Sequence, residues 1–374
     1  MSVLSPYRED LARLAEAHRL RALGPRRGVD FASNDYLALG RSQRLRNAMM
    51  SALERGVPVG SGGSRLLRGN DPEHEALEAE AATLFGSEAA LFFSSGYAAN
   101  LAAFATLPQR GDLVLYDALV HASARDGMRL GRASAQSVPH NDVGAFADTI
   151  ATWRRDGGGG RAWIAVESLY SMDGDRAPLA DLAALADRFG AFLMIDEAHA
   201  TGVFGDHGRG LAEALQGREN VVTLHTLGKA LGCDGALLCG PAVLRDMLVN
   251  RARPFVFSTA PSPLVASVAR ESLRVLHDEP DRRGTLRQRI GHAEAALARC
   301  GVTPTGSQIL PLVLGDDEAT MRVATAVQAA GFDVRGIRPP TVPRGTARLR
   351  LSITLNVGNE EIEGLADTLQ EALR

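Results

Sequence analysis

Lys229 is the only lysine in a chain of 374 residues that contains 41 lysines and arginines together, so the other 40 (41 − 1) are arginines. A lysine can lose its proton and act as a nucleophile, whereas an arginine guanidinium stays charged at physiological pH. A single lysine in an arginine-rich chain therefore favours chemistry that needs a neutral amine, above all a Schiff base. The alternative is an ordinary surface lysine. Lys229 lies between Gly228 and Gly232, after the apolar segment 220–224, and α/β enzymes often place reactive residues on such turns.

Asp196 stands at the end of the apolar segment 191–195, thirty-three residues (229 − 196) before Lys229. A carboxylate at the end of a buried strand costs desolvation free energy unless it meets a partner. It is either a helix cap or part of a site that also contains Lys229. Pyridoxal phosphate enzymes combine a lysine Schiff base with an aspartate that faces the pyridine nitrogen. The two residues together therefore indicate pyridoxal phosphate as the cofactor.

Apolar segments alternate with helical patterns between residues 89 and 224, and this alternation would position both residues. Continuous apolar segments separated by helices predict a parallel sheet that is buried on both faces. Ligands of such sheets bind beyond the carboxyl ends of the strands. Small or polar residues follow the apolar segments at Gly96, His121, Ser171, Asp196, His199 and Lys229. We therefore expect these residues to converge at one edge of the sheet.

The rest of the chain predicts two further parts. Residues 6–23 have the pattern of an amphipathic helix that Gly24 and Pro25 would end, an arm suited to packing on a partner subunit. The glycine-rich loop 60–70 is either a flexible connector or a loop whose backbone approaches a ligand. We predict an N-terminal arm and short strand over residues 1–40, a large cofactor-binding domain over 41–260, and a small C-terminal α/β domain over 261–374.

Composition argues against several classes of protein. The net charge is −3 and the arginines are scattered, so a nucleic-acid-binding surface is not indicated. Cys233, Cys239 and Cys300 show no metal-ligand spacing, which predicts reduced cysteines, no metal site and a cytoplasmic protein. No apolar run approaches the length of a membrane span, and the N-terminus has no signal-peptide pattern.

Short motifs along the chain identify a family. They are Phe31-Ala-Ser-Asn-Asp-Tyr-Leu, Gly60-Ser-Gly-Gly-Ser-Arg, Ser95-Gly-Tyr-Ala-Ala-Asn, His121-Ala-Ser, Ser168-Leu-Tyr-Ser-Met-Asp-Gly-Asp, Asp196-Glu-Ala-His-Ala-Thr-Gly-Val-Phe-Gly, Thr226-Leu-Gly-Lys-Ala, Phe257-Ser-Thr-Ala-Pro and Ile337-Arg-Pro-Pro-Thr-Val-Pro. In their number and order they resemble the motifs of the α-oxoamine synthases, which are pyridoxal phosphate enzymes of fold type I. The resemblance covers nearly the whole chain and is strongest to the biotin-pathway branch of the family.

This resemblance implies a mostly parallel seven-stranded sheet flanked by helices, followed by a smaller C-terminal α/β domain. It implies that Lys229 binds the cofactor as a Schiff base, that His121 stacks on the ring and that Asp196 pairs with the pyridine nitrogen. Other cofactor contacts are implied at Gly96, Tyr97, Ser171, His199, Thr226 and Thr259. Thr259 resembles a residue that reaches the phosphate from the neighbouring subunit, which implies a homodimer with shared active sites.

The resemblance also implies the substrates, which would be L-alanine and a pimeloyl thioester of coenzyme A or of an acyl carrier protein. The substrate-binding residues implied are Arg21, Asn34, His121, Thr341 and Arg350. In segment 348–350 two arginines alternate with an apolar residue and so face one side. Arg350 would bind the amino-acid carboxylate through its planar guanidinium. The alternative is the solvated face of an edge strand.

Two other functions stay open at this point. A sister synthase of the same family would use glycine with acetyl- or succinyl-coenzyme A. A protein of a different class would be a dimeric subunit that kept the fold and lost catalysis. The complete set of Lys229, Asp196 and His121 argues against the second alternative.

Overall fold

The computed structural model describes residues 2–374. Its strands are β1 (Val29–Asp30), β2 (Ala89–Phe93), β3 (Leu113–Asp117), β4 (Ser134–Val138), β5 (Ala162–Glu167), β6 (Phe192–Asp196), β7 (Val221–Thr226), β8 (Ala236–Gly240), β9 (Ile309–Gly315), β10 (Phe332–Asp333), β11 (Arg335–Ile337) and β12 (Ala347–Ser352). They form a seven-stranded sheet in the order β2-β8-β7-β6-β5-β3-β4, a three-stranded sheet β11-β12-β9 and the pair β1-β10.

The α-helices follow the predicted pattern along most of the chain. They are α1 (Ser5–Glu16), α2 (Gln43–Glu54), α3 (Pro72–Leu84), α4 (Gly96–Thr106), α5 (Ala122–Leu130), α6 (Val143–Arg155), α7 (Leu179–Phe189), α8 (Ala242–Arg251), α9 (Arg253–Val256), α10 (Pro263–Asp278), α11 (Asp281–Leu297), α12 (Asp317–Ala329) and α13 (Asn359–Ala372). Within residues 2–374 no helix is both long and apolar enough to cross a membrane.

The chain divides into two compact units. The first unit contains the described residues up to Tyr36, Met172–Asp175 and Gly284–Arg374, and the second contains Leu37–Ser171 and Arg176–Arg283. This division differs from the predicted one, which placed a boundary at residue 261. Helix α10 lies inside the second unit because it packs on α2 and α3. The N-terminal strand β1 belongs to the first unit because it pairs in parallel with β10.

The seven-stranded sheet of the second unit confirms the predicted fold class. Strands β2, β7, β6, β5, β3 and β4 run in the same direction, and β8 runs antiparallel between β2 and β7. Side chains of β5 alternate between the two faces. Trp163 and Ala165 join the core under α4 and α5, whereas Ile164 and Val166 join the core under α6 and α7. Burial on both faces explains why these strands are apolar at consecutive positions.

Antiparallel strands β9, β11 and β12 form the sheet of the first unit, with β12 in the middle. Arg348 and Arg350 on β12 are only 4% and 6% exposed. The alternative of a solvated edge strand is therefore wrong, since β12 is a central strand and both guanidinium groups are buried.

Helix α1 of the first unit is shorter than predicted. It ends at Glu16, and His18 adopts a positive φ of 53°, which the helix cannot continue through. Gly24 and Pro25 therefore lie beyond the helix and do not end it. No residue of α1 is buried, and Leu11 on its apolar face remains 53% exposed. The amphipathic pattern thus predicted the helix but overestimated its length.

Candidate active site

The carboxyl ends of the parallel strands carry the predicted residues. Lys229 follows β7 in a tight turn, in which Leu227 N–H donates to Gly235 O at 2.9 Å and Cys233 N–H donates to Leu227 O at 2.9 Å. Gly232 closes this turn with a φ of 61°, and a Cβ there would lie 2.3 Å from Gly40 N. Only glycine fits such an approach. The turn presents Lys229 Nζ at 2.8 Å from Nε2 of His199, which follows β6.

Asp196 is the last residue of β6. Its Oδ2 accepts a hydrogen bond from Asn100 Nδ2 at 2.8 Å, and its Oδ1 accepts one from Ala198 N–H at 2.9 Å. Both donors are neutral, so they fix the carboxylate without neutralising its charge. Asn100 lies on α4 and was not singled out by the sequence analysis, although it is the last residue of the motif that begins at Ser95.

His121 is the N-cap of α5 and lines the same small cavity as Asp196. Its Nδ1 accepts from Ser123 N–H at 3.2 Å and lies 2.7 Å from Ser123 Oγ. Burial holds the pKa of His121 below its usual value, the nearby charge of Lys229 acts in the same direction, and Asp196 acts in the opposite direction. The neutral ring is therefore favoured, which suits a residue that stacks on a cofactor.

Glu167 is a buried acid that the sequence analysis missed. It ends β5 directly opposite Asp196 in the strand register, and its Oε2 accepts from Ser171 N–H at 3.2 Å. Burial, with the charge of Asp196, raises the pKa of Glu167 to about 8, while hydrogen bonds from the backbone of Ser171 and His121 oppose that rise. The only signal in the sequence was an acid at the end of an apolar strand, the same signal that marked Asp196.

The N-terminus of α4 is suited to bind an anion. Ser95 caps the helix by accepting from Ala98 N–H at 3.1 Å, and Gly96 is the first helical residue. A Cβ on Gly96 would lie 3.8 Å from Thr226 Oγ1, so the glycine and this buried hydroxyl are close neighbours. Free amides and the positive end of a helix favour a phosphate. Tyr97 is half exposed, and its hydroxyl donates to Asp126.

Thr259 lies on the exposed segment after α9. The next residue, Ala260, donates its N–H to Gly63 O at 2.9 Å, and Ser61 Oγ donates to Pro261 O at 2.6 Å. The glycine-rich loop 60–70 and the Thr259 segment are therefore joined, as expected if they act together. Within residues 2–374 of one chain, Thr259 has no hydrogen bond or ion pair with Lys229.

The predicted substrate-binding residues outside this unit form two contacts in the first unit. Arg350 donates to Asn34 Oδ1 at 3.0 Å and to Ser352 Oγ at 2.7 Å. Arg21 Nη2 donates to Thr341 Oγ1 at 3.2 Å. Arg338 lies beside Arg21 in a small cavity, and burial, together with the charge of Arg21, lowers the pKa of Arg338.

The donor set of the second unit suits pyridoxal phosphate. It offers one amine at Lys229, one carboxylate held by neutral donors at Asp196, a neutral ring at His121, and an anion-binding helix N-terminus at Gly96 beside Thr226. These groups match an aldehyde, a pyridine nitrogen, an aromatic face and a phosphate, respectively. Residues 2–374 contain no group of three or more His, Cys, Asp or Glu side chains that could hold a metal ion.

Comparison with known proteins gives the family. Residues 26–369 match the aminotransferase class I and II model, and the chain belongs to that family. It is a pyridoxal-phosphate-dependent transferase of fold type I. An 8-amino-7-oxononanoate synthase from Anaeromyxobacter dehalogenans is 44% identical over 354 residues, which cover 94% of this chain and 88% of that protein.

Solved structures agree with this assignment. A serine palmitoyltransferase from S. paucimobilis, solved with a pyridoxal phosphate–myriocin aldimine, has a TM-score of 0.89 and 26% identity, over 100% of this chain and 98% of that chain. An 8-amino-7-oxononanoate synthase from Francisella tularensis has a TM-score of 0.78 and 26% identity, over 92% of this chain and 98% of that chain. The predicted fold class, family and cofactor are thereby confirmed.

Proposed function

We propose that the chain catalyses the reaction of 8-amino-7-oxononanoate synthase in biotin biosynthesis. L-Alanine and a pimeloyl thioester condense, a carbon–carbon bond forms, and carbon dioxide and the free thiol leave. The observation that carries the proposal is the contact between Lys229 and His199 beside Asp196 and His121, in a chain 44% identical to such a synthase. Bound pyridoxal phosphate supplies the electron sink that stabilises a carbanion at the amino-acid α-carbon.

Lys229 holds the cofactor through Nζ before the amino acid arrives and removes the α-proton afterwards. His199 Nε2 lies 2.8 Å from that amine and keeps it oriented. Asp196 holds the pyridine nitrogen protonated, because its carboxylate is fixed by two neutral donors and faces the ring as an acceptor. His121 covers one face of the pyridine ring, while Ser171 and Tyr97 line the rest of the cofactor site. Gly96 and Thr226 hold the phosphate.

Arg350 binds the carboxylate of alanine. Its guanidinium is buried and donates to Asn34, Tyr36 and Ser352, which fixes the planar group in an orientation suited to a carboxylate. Asn34 both orients Arg350 and offers an amide group to the substrate. Arg21 and Thr341 bind the acyl thioester at its distal end.

The active form is a homodimer in which Thr259 reaches the phosphate of the neighbouring site. Exposed apolar side chains support this assembly. Leu67 in the glycine-rich loop is 82% exposed and Phe257 is 71% exposed, on two segments that are joined by the hydrogen bond from Ala260 to Gly63. Large apolar side chains on adjoining loops are typical of surfaces that a partner covers.

A serine palmitoyltransferase is the second candidate, because its TM-score of 0.89 exceeds that of the solved synthase at 0.78. Both solved chains are only 26% identical to this one, whereas the synthase from A. dehalogenans is 44% identical. We therefore prefer the synthase reaction.

The deciding experiment measures kcat/KM of the purified enzyme for alanine, glycine and serine, each with pimeloyl-, acetyl-, succinyl- and palmitoyl-coenzyme A. We expect the alanine and pimeloyl pair to have the highest value. One methyl group in a pocket contributes only about 1–3 kcal/mol, so weaker turnover of glycine is expected. A clear preference for serine with palmitoyl-coenzyme A, or for glycine with a short acyl group, would overturn the proposal.

A further inference from the structure

A chain of hydrogen bonds joins the two residues that flank the proposed cofactor position. Asn100 Nδ2 donates to Asp196 Oδ2 at 2.8 Å and to Ser123 Oγ at 3.0 Å. Ser123 Oγ in turn lies 2.7 Å from His121 Nδ1. Asn100 is 2% exposed and Ser123 is fully buried, so water does not compete for these bonds. The carboxylate at the end of β6 is thus connected to the imidazole at the start of α5.

Close packing of α4 and α5 sets this connection. Gly127 on α5 faces α4, and a Cβ at this position would lie 2.9 Å from Asn100 O and 2.9 Å from Phe104 Cβ. The absence of a side chain lets the two helices approach closely. Ser123, one helical turn before Gly127, is thereby brought within hydrogen-bond distance of Asn100.

The direction of each bond follows from the donor inventory. An ionised carboxylate has only acceptors, so the Asn100 amide must face Asp196 with its NH2 group, which then also donates to Ser123. The Ser123 hydroxyl accepts that bond and has its own hydrogen left to donate to His121 Nδ1. Ser123 N–H donates to the same nitrogen at 3.2 Å. Two donors at Nδ1 require a lone pair there, which places the imidazole proton on Nε2.

The geometry points to Asn100 and Ser123 as positioning residues: they hold Asp196 in its ionised orientation and fix His121 as the tautomer that carries its proton on Nε2. This inference rests on the proposed function only in assigning Asp196 and His121 to the cofactor. One hydrogen-bond network therefore positions both the Asp196 carboxylate, which faces the pyridine nitrogen, and the Nε2–H of His121 on the stacked ring.

The test uses the holoenzyme and three variants. Ser123→Ala removes the hydroxyl, and Ser123→Thr restores one. Asn100→Asp keeps the shape but replaces the amide donor with a second acid beside Asp196, where two carboxylates cannot both ionise easily. Thr320→Val is the matched control, since it removes another buried hydroxyl, one that donates to Asp316 O at the start of α12 in the first unit.

Two measurements are made on each protein. The first is the 15N chemical shifts of the His121 ring, which distinguish the two tautomers without any turnover. The second is exchange of the α-proton of alanine in deuterated water. We expect Ser123→Ala to raise the population of the other tautomer, because only the longer bond from the backbone N–H at 3.2 Å remains at Nδ1. Exchange should slow about 10- to 100-fold, as when a hydrogen-bond partner behind a metal ligand is removed. Ser123→Thr should restore both readouts, and Asn100→Asp should slow exchange more than Ser123→Ala does.

If Ser123→Ala and Asn100→Asp leave both the His121 tautomer and the rate of exchange unchanged, as Thr320→Val should, the inference is overturned. If Ser123→Ala slows exchange but leaves the His121 tautomer unchanged, Ser123 does not fix the tautomer, and its assignment as a positioning residue is overturned. A wild-type enzyme that exchanges glycine or serine but not alanine would contradict the proposed function instead. The tautomer measurement would still decide the role of the network, so the two failures are distinguishable.

Discussion

Lys229 Nζ lies 2.8 Å from His199 Nε2, and this contact connects the turn after β7 with the loop after β6. The two nitrogens lie at hydrogen-bond distance, so the imidazole fixes the position of the amine. Strands β6 and β7 are paired over residues 193–196 and 221–224. A rigid sheet therefore orients the amine before any cofactor is bound, which limits the conformational freedom lost on binding.

Replacing Lys229 with arginine should keep the charge and abolish covalent attachment of the cofactor, because a guanidinium does not form the Schiff base. Borohydride reduction of the wild-type enzyme, followed by peptide mass spectrometry, should find the cofactor on Lys229. No other lysine in the chain can compete. Lys229→Arg should bind no reduced cofactor and show no turnover. Labelling of the N-terminal amine with none on Lys229 would contradict the assignment.

Replacing Asp196 with asparagine should preserve cofactor binding but slow exchange of the α-proton of alanine by orders of magnitude. The amide lacks the charge that keeps the pyridine nitrogen protonated. Asp156→Asn, on the exposed residue that follows α6, is the control for loss of one negative charge. Exchange at the wild-type rate in Asp196→Asn would show that the carboxylate only caps the following turn.

Sequence reasoning predicted the parts of the site that follow strand ends. Lys229 was found as the only lysine of the chain, and Asp196 because it ends the apolar strand β6. Both lie at strand ends, which a parallel sheet brings together. Asn100 and Ser123 lie inside helices, and the sequence pattern of a helix does not distinguish a buried polar residue from an exposed one. Their contact depends on how closely α5 packs on α4 at Gly127, which is a tertiary property.

The sequence predicted less of the first unit, again because tertiary contacts are not visible in a sequence pattern. The alternation at 348–350 correctly placed two arginines on one face, but the sequence could not show that β12 has neighbours on both sides. The helix at 6–23 was predicted too long because His18 leaves the helical conformation at a position without a proline or glycine. Long-range pairing and single-residue conformations are decided by the whole fold.

Replacing Arg350 with lysine should raise KM for alanine, because the ammonium cannot reproduce the planar bidentate contact with a carboxylate. A hydrogen bond to a charged group contributes about 1.5–3 kcal/mol, so we expect kcat/KM to fall about 10- to 100-fold. Arg335→Lys is the control, because the Arg335 side chain is 48% exposed and pairs with Asp333. Equal effects of both substitutions, or an effect on cofactor binding alone, would contradict a role in substrate binding.

Mixing two inactive variants tests the shared active site. Lys229→Ala lacks the amine. A double variant, Thr259→Ala with Arg68→Ala, lacks one side chain in each of the two segments proposed to serve the neighbouring subunit, the Thr259 segment and the glycine-rich loop 60–70. In a mixed dimer one of the two sites receives intact residues from both chains. Random subunit exchange should therefore restore about a quarter of wild-type activity, since half of the dimers are mixed and half of their sites are complete. No recovery, with exchange confirmed by mass spectrometry, would contradict a shared site.

His225 should make the stability of the enzyme depend on pH. The ring is fully buried, stacks on Phe85 at 3.6 Å between centroids, and contacts Thr201 Oγ1 at 2.9 Å and Thr223 Oγ1 at 2.8 Å. Burial lowers the pKa of His225 to about 3, because these surroundings solvate a charged ring poorly. The folded state thus keeps the ring neutral where the unfolded chain binds a proton.

This difference fixes the direction of the pH effect. The contribution of the neutral ring is fully present above the unfolded pKa of about 6.5 and is lost as pH falls towards the folded value, by about 1.4 kcal/mol per pH unit. The unfolding free energy should be measured in urea between pH 6.5 and 4. It should fall less steeply with pH in His225→Asn than in the wild type, because unfolding of the variant takes up as much as one proton fewer. His207→Asn, on an exposed ring, should keep the wild-type slope. A His225→Asn slope equal to that of the wild type would show that His225 binds its proton in the folded state.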